Sequence, residues 1–289
     1  RGRGESVTEA HRPPEAGEVT EMNYQRERRT AMPTAEAVDH KVVSHQEWVQ
    51  ARRAFLVREK EFTQAREAMA EKLRELPWER VEKEYVFEDE KGKVTLAELF
   101  AGRSQLIVYH FMFGPDWTEG CPGCSFTADH IDGPNQHLSH HDVTLMCVSH
   151  APYSKLAAYK ERMGWHFPWV SSEGSDFNYD YGVSFTKDQV DAVKLPYNYG
   201  LMEEKRYMTE ELPGLSVFYK DPSGQIFHTY STYARGLDPI IGVNHFLDLA
   251  PKGRNERGPD GKMVGWVRRH NQYEDTPKDA ACCHDEAHA

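Results

Sequence analysis

The chain has 289 residues, a formal net charge of −11, 28 % charged residues and 39 % hydrophobic residues. An acidic chain disfavours nucleic-acid binding as the main task, and no apolar run approaches the roughly 20 residues that cross a bilayer. Its five cysteines are too few for a disulfide scaffold, and no charged-then-apolar secretory signal is evident. We therefore expect a cytoplasmic protein of one large or two small domains, without a nucleic-acid or membrane partner.

The N-terminal part divides into a leader and a helix. Residues 1–38 are rich in Glu, Arg, Pro and Thr, which predicts a disordered leader or an arm that wraps a partner. A capping box over residues 44–47 then predicts a helical extension over residues 39–80. Apolar residues recur in it at a spacing of seven: Trp48, Phe55, Phe62, Met69 and Leu76. Such a stripe either packs on the chain's own domain or forms a contact in a homodimer or higher oligomer.

Residues 81–250 alternate predicted strands with predicted helices, which is typical of an α/β domain. The strand candidates are 84–88, 105–113, 143–148, 167–170, 215–219 and 226–230, and the helix candidates are 95–100, 125–138, 152–163 and the end of 237–249. Residues 221–224, Asp-Pro-Ser-Gly, predict a hairpin turn between the last two strands. Residues 184–212 interrupt the pattern as a long insertion, and such insertions are often functional.

A Cys-x-x-Cys pair, Cys121 and Cys124, stands where a predicted buried strand meets a predicted helix. Pro122 suits the first position of that helix. The positive end of a helix stabilises a thiolate, and the thiolate is the species that attacks a disulfide. We therefore predict Cys121 as the attacking thiol and Cys124 as its resolving partner. A metal site and an inert reduced pair are the alternatives.

Residues 251–289 are predicted to form a C-terminal extension that carries three further chemistry-bearing side chains: Cys282, Cys283 and His284. This tail could relay electrons to the Cys-x-x-Cys pair or resolve a mixed disulfide. It could also bind a soft metal such as zinc or copper(I). A mobile reduced tail is the simplest interpretation.

Other candidate residues surround the pair. His110 is either a hydrogen-bonded core residue or a proton relay, and Cys147 is predicted to be a packed, inert thiol. Trp117, in the loop before the cysteines, is a candidate for substrate contact. Four histidines flank the cysteine helix: His130, His137, His140 and His141. Three of them could share one helical face as metal ligands, but a solvated helix end is the simpler interpretation.

Three long motifs carry a family resemblance: YHFMFGPDWTEGCPGCSF, MGWHFPWVSSEGSDFNYDYGVSF and HTYSTYARGLD. They resemble a bacterial thioredoxin-like family of uncharacterised proteins, which are labelled as predicted dithiol–disulfide oxidoreductases. The order of strand, Gly-Pro loop, cysteine and helix is also similar to that of peroxiredoxins. The resemblance implies an α/β, thioredoxin-like fold of the peroxiredoxin type, with a central sheet flanked by helices, and dithiol chemistry.

The similarity to peroxiredoxins implies a second activity, in which peroxide oxidises Cys121. Thr118 stands three residues before Cys121, as in peroxiredoxins, where its hydroxyl would bond peroxide and thiolate. Leu215 occupies the place of a peroxiredoxin arginine that stabilises charge at the thiolate. Arg162 or Arg235 would have to substitute for that arginine through space.

Thioredoxins place a cis-proline opposite their cysteines, and Pro213 is the candidate for this position. The favoured function is thiol–disulfide exchange by Cys121 and Cys124, with a disulfide or oxidised-thiol substrate and an external thiol reductant as partners. No cofactor beyond the redox-active disulfide is expected. The alternatives are peroxide reduction and a non-catalytic metal-binding protein, which would use the pair together with the Cys-Cys-His tail.

Overall fold

The computed structural model describes residues 40–203, 208–256 and 265–273. It divides the chain into two units, residues 1–44 and residues 45–289, and the described part of the first unit is an irregular segment. Within the described ranges, no helix combines the length and the apolar character that crossing a membrane requires. We call residues 265–273 the C-terminal strap.

Helix α1, His45–Arg74, is a continuous helix of 30 residues that begins directly after Ser44, the first residue of the predicted capping box. Ala, Glu, Arg, Lys and Gln, all strong helix formers, dominate its sequence. None of its residues is buried, and Trp48 and Phe62 in the apolar stripe are 55 % and 69 % exposed. The interpretation that this stripe packs on the chain's own domain is therefore wrong for the described residues.

The central element is a mixed sheet. Its described strands are β1 (Glu79–Arg80), β2 (Val86–Asp89), β3 (Gly92–Thr95), β4 (Gln105–His110), β5 (Val143–Ser149), β6 (Trp169–Ser171), β9 (Gly214–Lys220) and β10 (Ile226–Tyr233). Their spatial order is β1-β10-β9-β4-β5-β6-β2-β3. Strand β4 is parallel to β5 and antiparallel to β9, so Tyr109 pairs with Cys147 on one side and Leu215 on the other. A parallel β4–β5–β6 core extended by the antiparallel β9–β10 hairpin is the predicted thioredoxin-like arrangement, which confirms the fold class.

Helices connect the strands and flank the sheet. They are α2 (Leu96–Leu99), α3 (Pro122–Ala128), α4 (Asp132–Ser139), α5 (Tyr153–Met163), α6 (Phe177–Asp180), α7 (Lys187–Asp191) and α8 (Gly242–Leu249). Alternate residues of β4 serve two separate apolar clusters, with Leu106 and Val108 in one and Tyr109 in the other. Strand β5 is buried along its whole length, as expected for a central parallel strand.

The prediction of one helix over residues 125–138 is wrong, because the structure has α3 and α4 there, separated by residues 129–131. Pro134 lacks a backbone N–H and is tolerated only in the first turn of a helix, so a new helix starts at Asp132. The cysteine pair consequently lies on a short helix of its own, with Pro122 as its first residue.

The described part of the 184–212 insertion packs beside the sheet. It contains α7 and a small antiparallel sheet of β7 (Leu195–Tyr197) and β8 (Gly200–Met202). Its apolar side chains join a third buried cluster with neighbours from β10 and the approach to β9: Val183, Phe185, Leu195, Tyr197, Leu212 and Tyr233. This packing brings the Tyr197 hydroxyl to the Pro213 carbonyl, to which it donates at 2.6 Å.

Candidate active site

Cys121 is positioned by the end of β4 and the start of α3. Beyond β4 the chain continues along β5, with the Phe111 N–H bonded to the Val148 carbonyl at 2.9 Å. The loop then returns, and the Cys121 N–H donates to the Met112 carbonyl at 3.1 Å. Cys121 is the N-cap residue of α3 and is partly exposed, whereas Cys124 is 2 % exposed. The described cysteines are all free thiols.

The surroundings of Cys121 lower the pKa of its thiol. A hydrogen bond from the Cys124 thiol is the largest cause that lowers the pKa of Cys121 to about 7, against the opposing effect of burial. The N–H groups of Cys124 and Gly123, in the first turn of α3, and the charge of Arg269 also stabilise the thiolate. Because the lowered pKa enlarges the thiolate fraction of Cys121 at neutral pH, Cys121 is the better nucleophile of the pair.

Cys124 is held in the opposite state. Burial is the main cause that raises the pKa of Cys124 well above its ordinary value, and the adjacent Cys121 adds to the effect. The sulfur of Cys124 accepts a hydrogen bond from the Met112 N–H at 3.4 Å and another from the Tyr109 hydroxyl. The site therefore pairs an accessible thiolate with an enclosed, protonated thiol.

Arg269 reaches the site from the C-terminal strap. Its guanidinium donates hydrogen bonds to the Gly120 carbonyl and, at 2.9 Å, to the Tyr159 hydroxyl. It also forms an ion pair with the Glu119 carboxylate at 2.9 Å. Its side chain is only 12 % exposed. A shielded cation is thus fixed beside the residue that precedes Cys121. Sequence reasoning missed Arg269 because it assigned this part of the chain to an extension beyond the domain.

Contacts on both sides of Arg269 hold the strap in place. The Trp266 ring packs edge-on against Phe126 of α3, with ring centroids 5.6 Å apart. On the other side, His270 Nδ1 lies 2.7 Å from the Asp129 carboxylate, just after α3. Both partners, Phe126 and Asp129, belong to the segment that carries the cysteines, so the strap packs directly against the thiol site.

A chain of hydroxyl groups supports the loop before the thiol. Tyr159 and Ser125 share a hydrogen bond of 2.8 Å, and the Ser125 hydroxyl donates to the Cys121 carbonyl at 2.9 Å. Gly120 packs closely in the same place, since an added Cβ would lie 2.6 Å from the Phe111 ring. Only glycine fits there without displacing an aromatic side chain.

The two predicted loop residues occupy different environments. Trp117 is partly buried against the apolar cluster that contains Cys124, and its carbonyl accepts a hydrogen bond from Lys155 at 3.3 Å. Thr118 is exposed, and its hydroxyl makes no hydrogen bond to Cys121 within the described chain. Substrate contact by either residue stays a prediction.

Pro213 directly precedes β9, but the prediction of a cis-proline is wrong, because the described residues contain no cis peptide bond. The segment nevertheless lies close to the thiols. Burial is the main cause that raises the pKa of Tyr197, and a thiolate at Cys124 would raise it further. Since the Tyr197 hydroxyl donates to the Pro213 carbonyl, the approach to β9 is tied to a side chain beside the pair. Tyr197 belongs to the 184–212 insertion, which the sequence predicted to be functional without assigning this residue a role.

Of the two predicted substitutes for the peroxiredoxin arginine, Arg162 pairs at 2.6 Å with Glu119, the carboxylate that also binds Arg269, whereas Arg235 pairs at 2.7 Å with Glu256. Leu215 is buried on β9, at the place where that arginine was expected. Arg269 supplies the positive charge that acts on Cys121.

His110 and Cys147 are both buried, as predicted for a hydrogen-bonded core residue and a packed thiol. His110 is 1 % exposed, and its Nε2 lies 2.8 Å from the Ser216 hydroxyl oxygen. Burial lowers the pKa of His110 to about 3, so its ring is neutral. Cys147 is fully buried in β5, and burial raises its pKa well above the ordinary value, as expected of an inert thiol.

Metal binding finds no support in the part of the chain that the structure describes. No group of three or more His, Cys, Asp or Glu side chains there could hold a metal ion. The histidines in the last turn of α4 and just after it are exposed: His137, His140 and His141. His130 is partly buried and packs against the Phe126 ring at 5.9 Å. The predicted relay or metal residues of the tail lie outside the described residues: Cys282, Cys283 and His284.

Comparison with known proteins identifies a family. No curated protein matches the chain. Peroxidoxin BcpB from Mycobacterium tuberculosis is similar in structure, with 14 % identity and a TM-score of 0.39 over 58 % of this chain and 94 % of that one. A peroxiredoxin Q mutant from Xanthomonas campestris has 13 % identity and a TM-score of 0.35 over 55 % and 88 % of the two chains. A Bacteroides thetaiotaomicron protein, described provisionally as a protein disulfide isomerase, has 17 % identity and a TM-score of 0.33 over 60 % and 94 %.

At these scores the structural similarities carry no conclusion about activity, and the fold assignment rests on the strand order. The sequence match is of another kind, because it spans most of the chain. The model of the family described as bacterial protein of unknown function (DUF899) matches residues 37–273, and the chain belongs to this family.

Proposed function

We propose that the chain catalyses thiol–disulfide exchange, with Cys121 as the attacking thiol and Cys124 as the resolving thiol. The observation that carries this proposal is the contrast between the two sulfurs. Cys121 is partly exposed with a pKa of about 7, and Cys124 is buried with a pKa raised well above its ordinary value. A purely structural pair has no need of an ionised, accessible sulfur, whereas an attacking thiol has.

The reaction proceeds in two exchanges. The Cys121 thiolate attacks a substrate disulfide, the substrate S–S bond breaks, and the departing thiolate takes a proton from solvent. The Cys124 thiol then attacks the Cys121 sulfur and gives its proton to the second departing substrate thiolate. The substrate gains two electrons and two protons, and the pair becomes a disulfide. An external thiol donor restores the dithiol by the same exchange in reverse.

Turnover of a fluorogenic disulfide peptide, with dithiothreitol as the donor, tests this proposal. Cys121→Ser should abolish turnover. Cys124→Ser should permit the first attack and accumulate a mixed disulfide, which intact-mass measurement detects. Cys147→Ala is the matched control, since this thiol is buried in β5 away from solvent. Wild-type turnover in both the Cys121 and the Cys124 variants would refute the proposal.

Peroxide reduction is the second candidate function, favoured by the cation of Arg269 beside Cys121. In this reaction the thiolate attacks one peroxide oxygen, the O–O bond breaks, and Cys121 becomes a sulfenic acid while an alcohol or water leaves. Cys124 then condenses with the sulfenic acid, and water and the disulfide form. Hydrogen peroxide added to Cys124→Ser distinguishes the two functions. A one-oxygen adduct at Cys121 that forms much faster than on free cysteine supports the peroxidase, and formation at the free-cysteine rate opposes it.

Both reactions need an external reductant and no bound cofactor, and both suit a reducing compartment such as the cytoplasm. The Cys282-Cys283-His284 tail is a proposed relay for the incoming electrons. If the tail and the pair instead bind metal, freshly purified protein should contain stoichiometric zinc or copper. Loss of that metal in Cys121→Ser would favour the binding role over the redox role.

A further inference from the structure

Helix α1 presents an apolar stripe that the described chain leaves uncovered. Trp48, Phe55, Phe62 and Met69 recur at every seventh residue, and between 55 % and 69 % of each side chain is exposed. At about 1.5 Å per residue, a helix of this length extends about 45 Å. A contiguous apolar stripe along an exposed helix indicates an interface.

We infer that α1 pairs in antiparallel orientation with α1 of a second copy of this chain. If the stripe occupies heptad position a, position d alternates between small and basic side chains: Ala51, Arg58, Ala65 and Lys72. In an antiparallel pair, position a of one helix packs against position d of the other. Phe62 then meets Ala65 of the partner subunit, a large residue against a small one. Phe55 meets Lys72 of the partner subunit, whose ammonium can lie over the ring.

The register that aligns these layers also aligns opposite charges. With Phe62 opposite Ala65 of the partner subunit, Glu59 lies alongside Arg66 of the partner subunit at the rim of the seam. The two-fold symmetry of such a pair repeats the contact, so Arg66 lies alongside Glu59 of the partner subunit. Shape and charge therefore select the same alignment.

A parallel pair is disfavoured at its centre. It would place Arg58 against Arg58 of the partner subunit, and Lys72 against Lys72 of the partner subunit, both within the seam. The rim of a parallel pair would gain Glu61 beside Arg66 of the partner subunit, but exposed ion pairs contribute little. Like charges forced together in a desolvated seam cost more than such rim pairs supply.

The area available is sufficient for a dimer. A fully buried aromatic side chain removes about 150–250 Å² from water, so the exposed parts of two stripes with their flanking alanines amount to on the order of 1,000 Å². A specific interface begins to be stable at about this size. The pairing does not depend on the thiol chemistry proposed above.

Sedimentation velocity of the full-length protein over a concentration series tests the inference. The wild type should sediment at twice the chain mass. Phe62→Glu should sediment as a monomer, with a far-ultraviolet circular dichroism spectrum that shows an intact fold. Gln64→Glu is the matched control, because it makes the same change of one negative charge at an exposed residue of α1 outside the apolar stripe. A wild type that stays monomeric at every concentration would overturn the inference.

A charge swap tests the orientation. Glu59→Arg and Arg66→Glu should each weaken the dimer about tenfold, since each change removes two ion pairs and creates repulsion. The double variant should recover to within about threefold of the wild type, because it reinstates both pairs with reversed signs. A parallel dimer predicts no recovery, since Arg66→Glu would then face Glu61 of the partner subunit. A double variant as weak as the single ones would overturn the antiparallel arrangement.

Discussion

The guanidinium of Arg269 and the carbonyl of Gly120 are joined by two hydrogen bonds, of 2.5 Å and 3.1 Å. Gly120 directly precedes Cys121, so this contact fastens the C-terminal strap to the loop that presents the thiol. The same guanidinium is only 12 % exposed and pairs with Glu119. The strap therefore does two things at once: it shapes the loop, and it adds positive charge beside the thiolate.

Replacement of Arg269 by Met should raise the pKa of Cys121. The charge of Arg269 is one of the causes that hold this pKa at about 7. The thiolate fraction grows as pH rises through the pKa, so the pH profile of Cys121 alkylation should move to higher pH. At neutral pH the rate should fall about two- to fivefold. Iodoacetamide labelling across pH, with peptide mass spectrometry to quantify the Cys121 adduct, measures this change.

Arg268→Met is the matched control for that experiment. The Arg268 guanidinium donates to carbonyls within the strap itself, those of Gly265 and Val267, and to none in the thiol loop. Its loss should leave the alkylation profile of Cys121 in place. If Arg269→Met also leaves the profile unshifted, the strap does not tune the thiol.

The hydrogen bond from Cys124 is the largest cause of the lowered pKa of Cys121. Cys124→Ala removes this donor and should raise the pKa of Cys121 toward the ordinary value of a cysteine. Cys124→Ser keeps a hydroxyl donor and should fall between the alanine variant and the wild type. The ultraviolet absorbance of the thiolate, followed against pH, measures all three midpoints. Equal midpoints for the wild type and the alanine variant would show that Cys124 does not activate Cys121.

Gly120→Ala should damage the site through packing. A Cβ at this position would lie 2.6 Å from the Phe111 ring and 3.1 Å from the Tyr159 ring. Forcing these rings aside should cost about 1–3 kcal/mol of stability and reduce alkylation of Cys121. Gly123→Ala is the control, since its Cβ would meet nothing closer than the Cys121 sulfur at 3.8 Å. Urea unfolding compares the free energies, and equal losses in the two variants would rule out the proposed clash.

The features of the site that depend on residues close together in the chain could be predicted from the sequence. Strand β4, the placement of Cys121 at a helix start and the burial of Cys147 follow from apolar runs and from a proline at the first helical position. The prediction of one helix over residues 125–138 missed the break between α3 and α4. Pro134 was sufficient to indicate it, because a proline is not tolerated inside a continuing helix. These features depend on residues that are neighbours along the chain.

The long-range half could not be predicted in this way. Arg269 acts on Gly120 across 149 positions of sequence, and the Tyr109 hydroxyl reaches Cys124 only once β4 and α3 are packed together. Tyr197 comes near the pair because the insertion folds onto the approach to β9. Hydrophobic periodicity records which face of an element is buried, and it carries no information about which distant polar group meets that face.

Besides the two cysteines, a second pair of ionisable groups is coupled: His150, directly after β5, and Glu211, just before β9. His150 Nδ1 lies 2.9 Å from the Glu211 carboxylate, which is 3 % exposed, and the Ser184 hydroxyl donates to the other carboxylate oxygen at 2.8 Å. The hydrogen bond that the His150 ring donates to the Glu211 carboxylate raises the pKa of His150, and burial raises the pKa of Glu211. Both groups hold protons more tightly in the folded state than in the unfolded state. The stability that this pair contributes is therefore present at low pH and is lost as pH rises through the two folded-state pKa values.

Glu211→Gln should consequently lower the melting temperature most at about pH 6 and least at about pH 9. In the variant the hydrogen bond that raises the pKa of His150 is gone, and burial, which lowers it, is opposed only by the charges of Glu173 and Glu210. The contribution of His150 to stability should then fall less steeply as pH rises. The loss on the acid side should be on the order of 1–3 kcal/mol, because a buried charged hydrogen bond is removed. Glu210→Gln, at the exposed neighbouring position, is the control. Thermal unfolding followed by circular dichroism gives the change in melting temperature of each variant relative to the wild type. If the change for Glu211→Gln is the same at every pH, the pair does not titrate in this range.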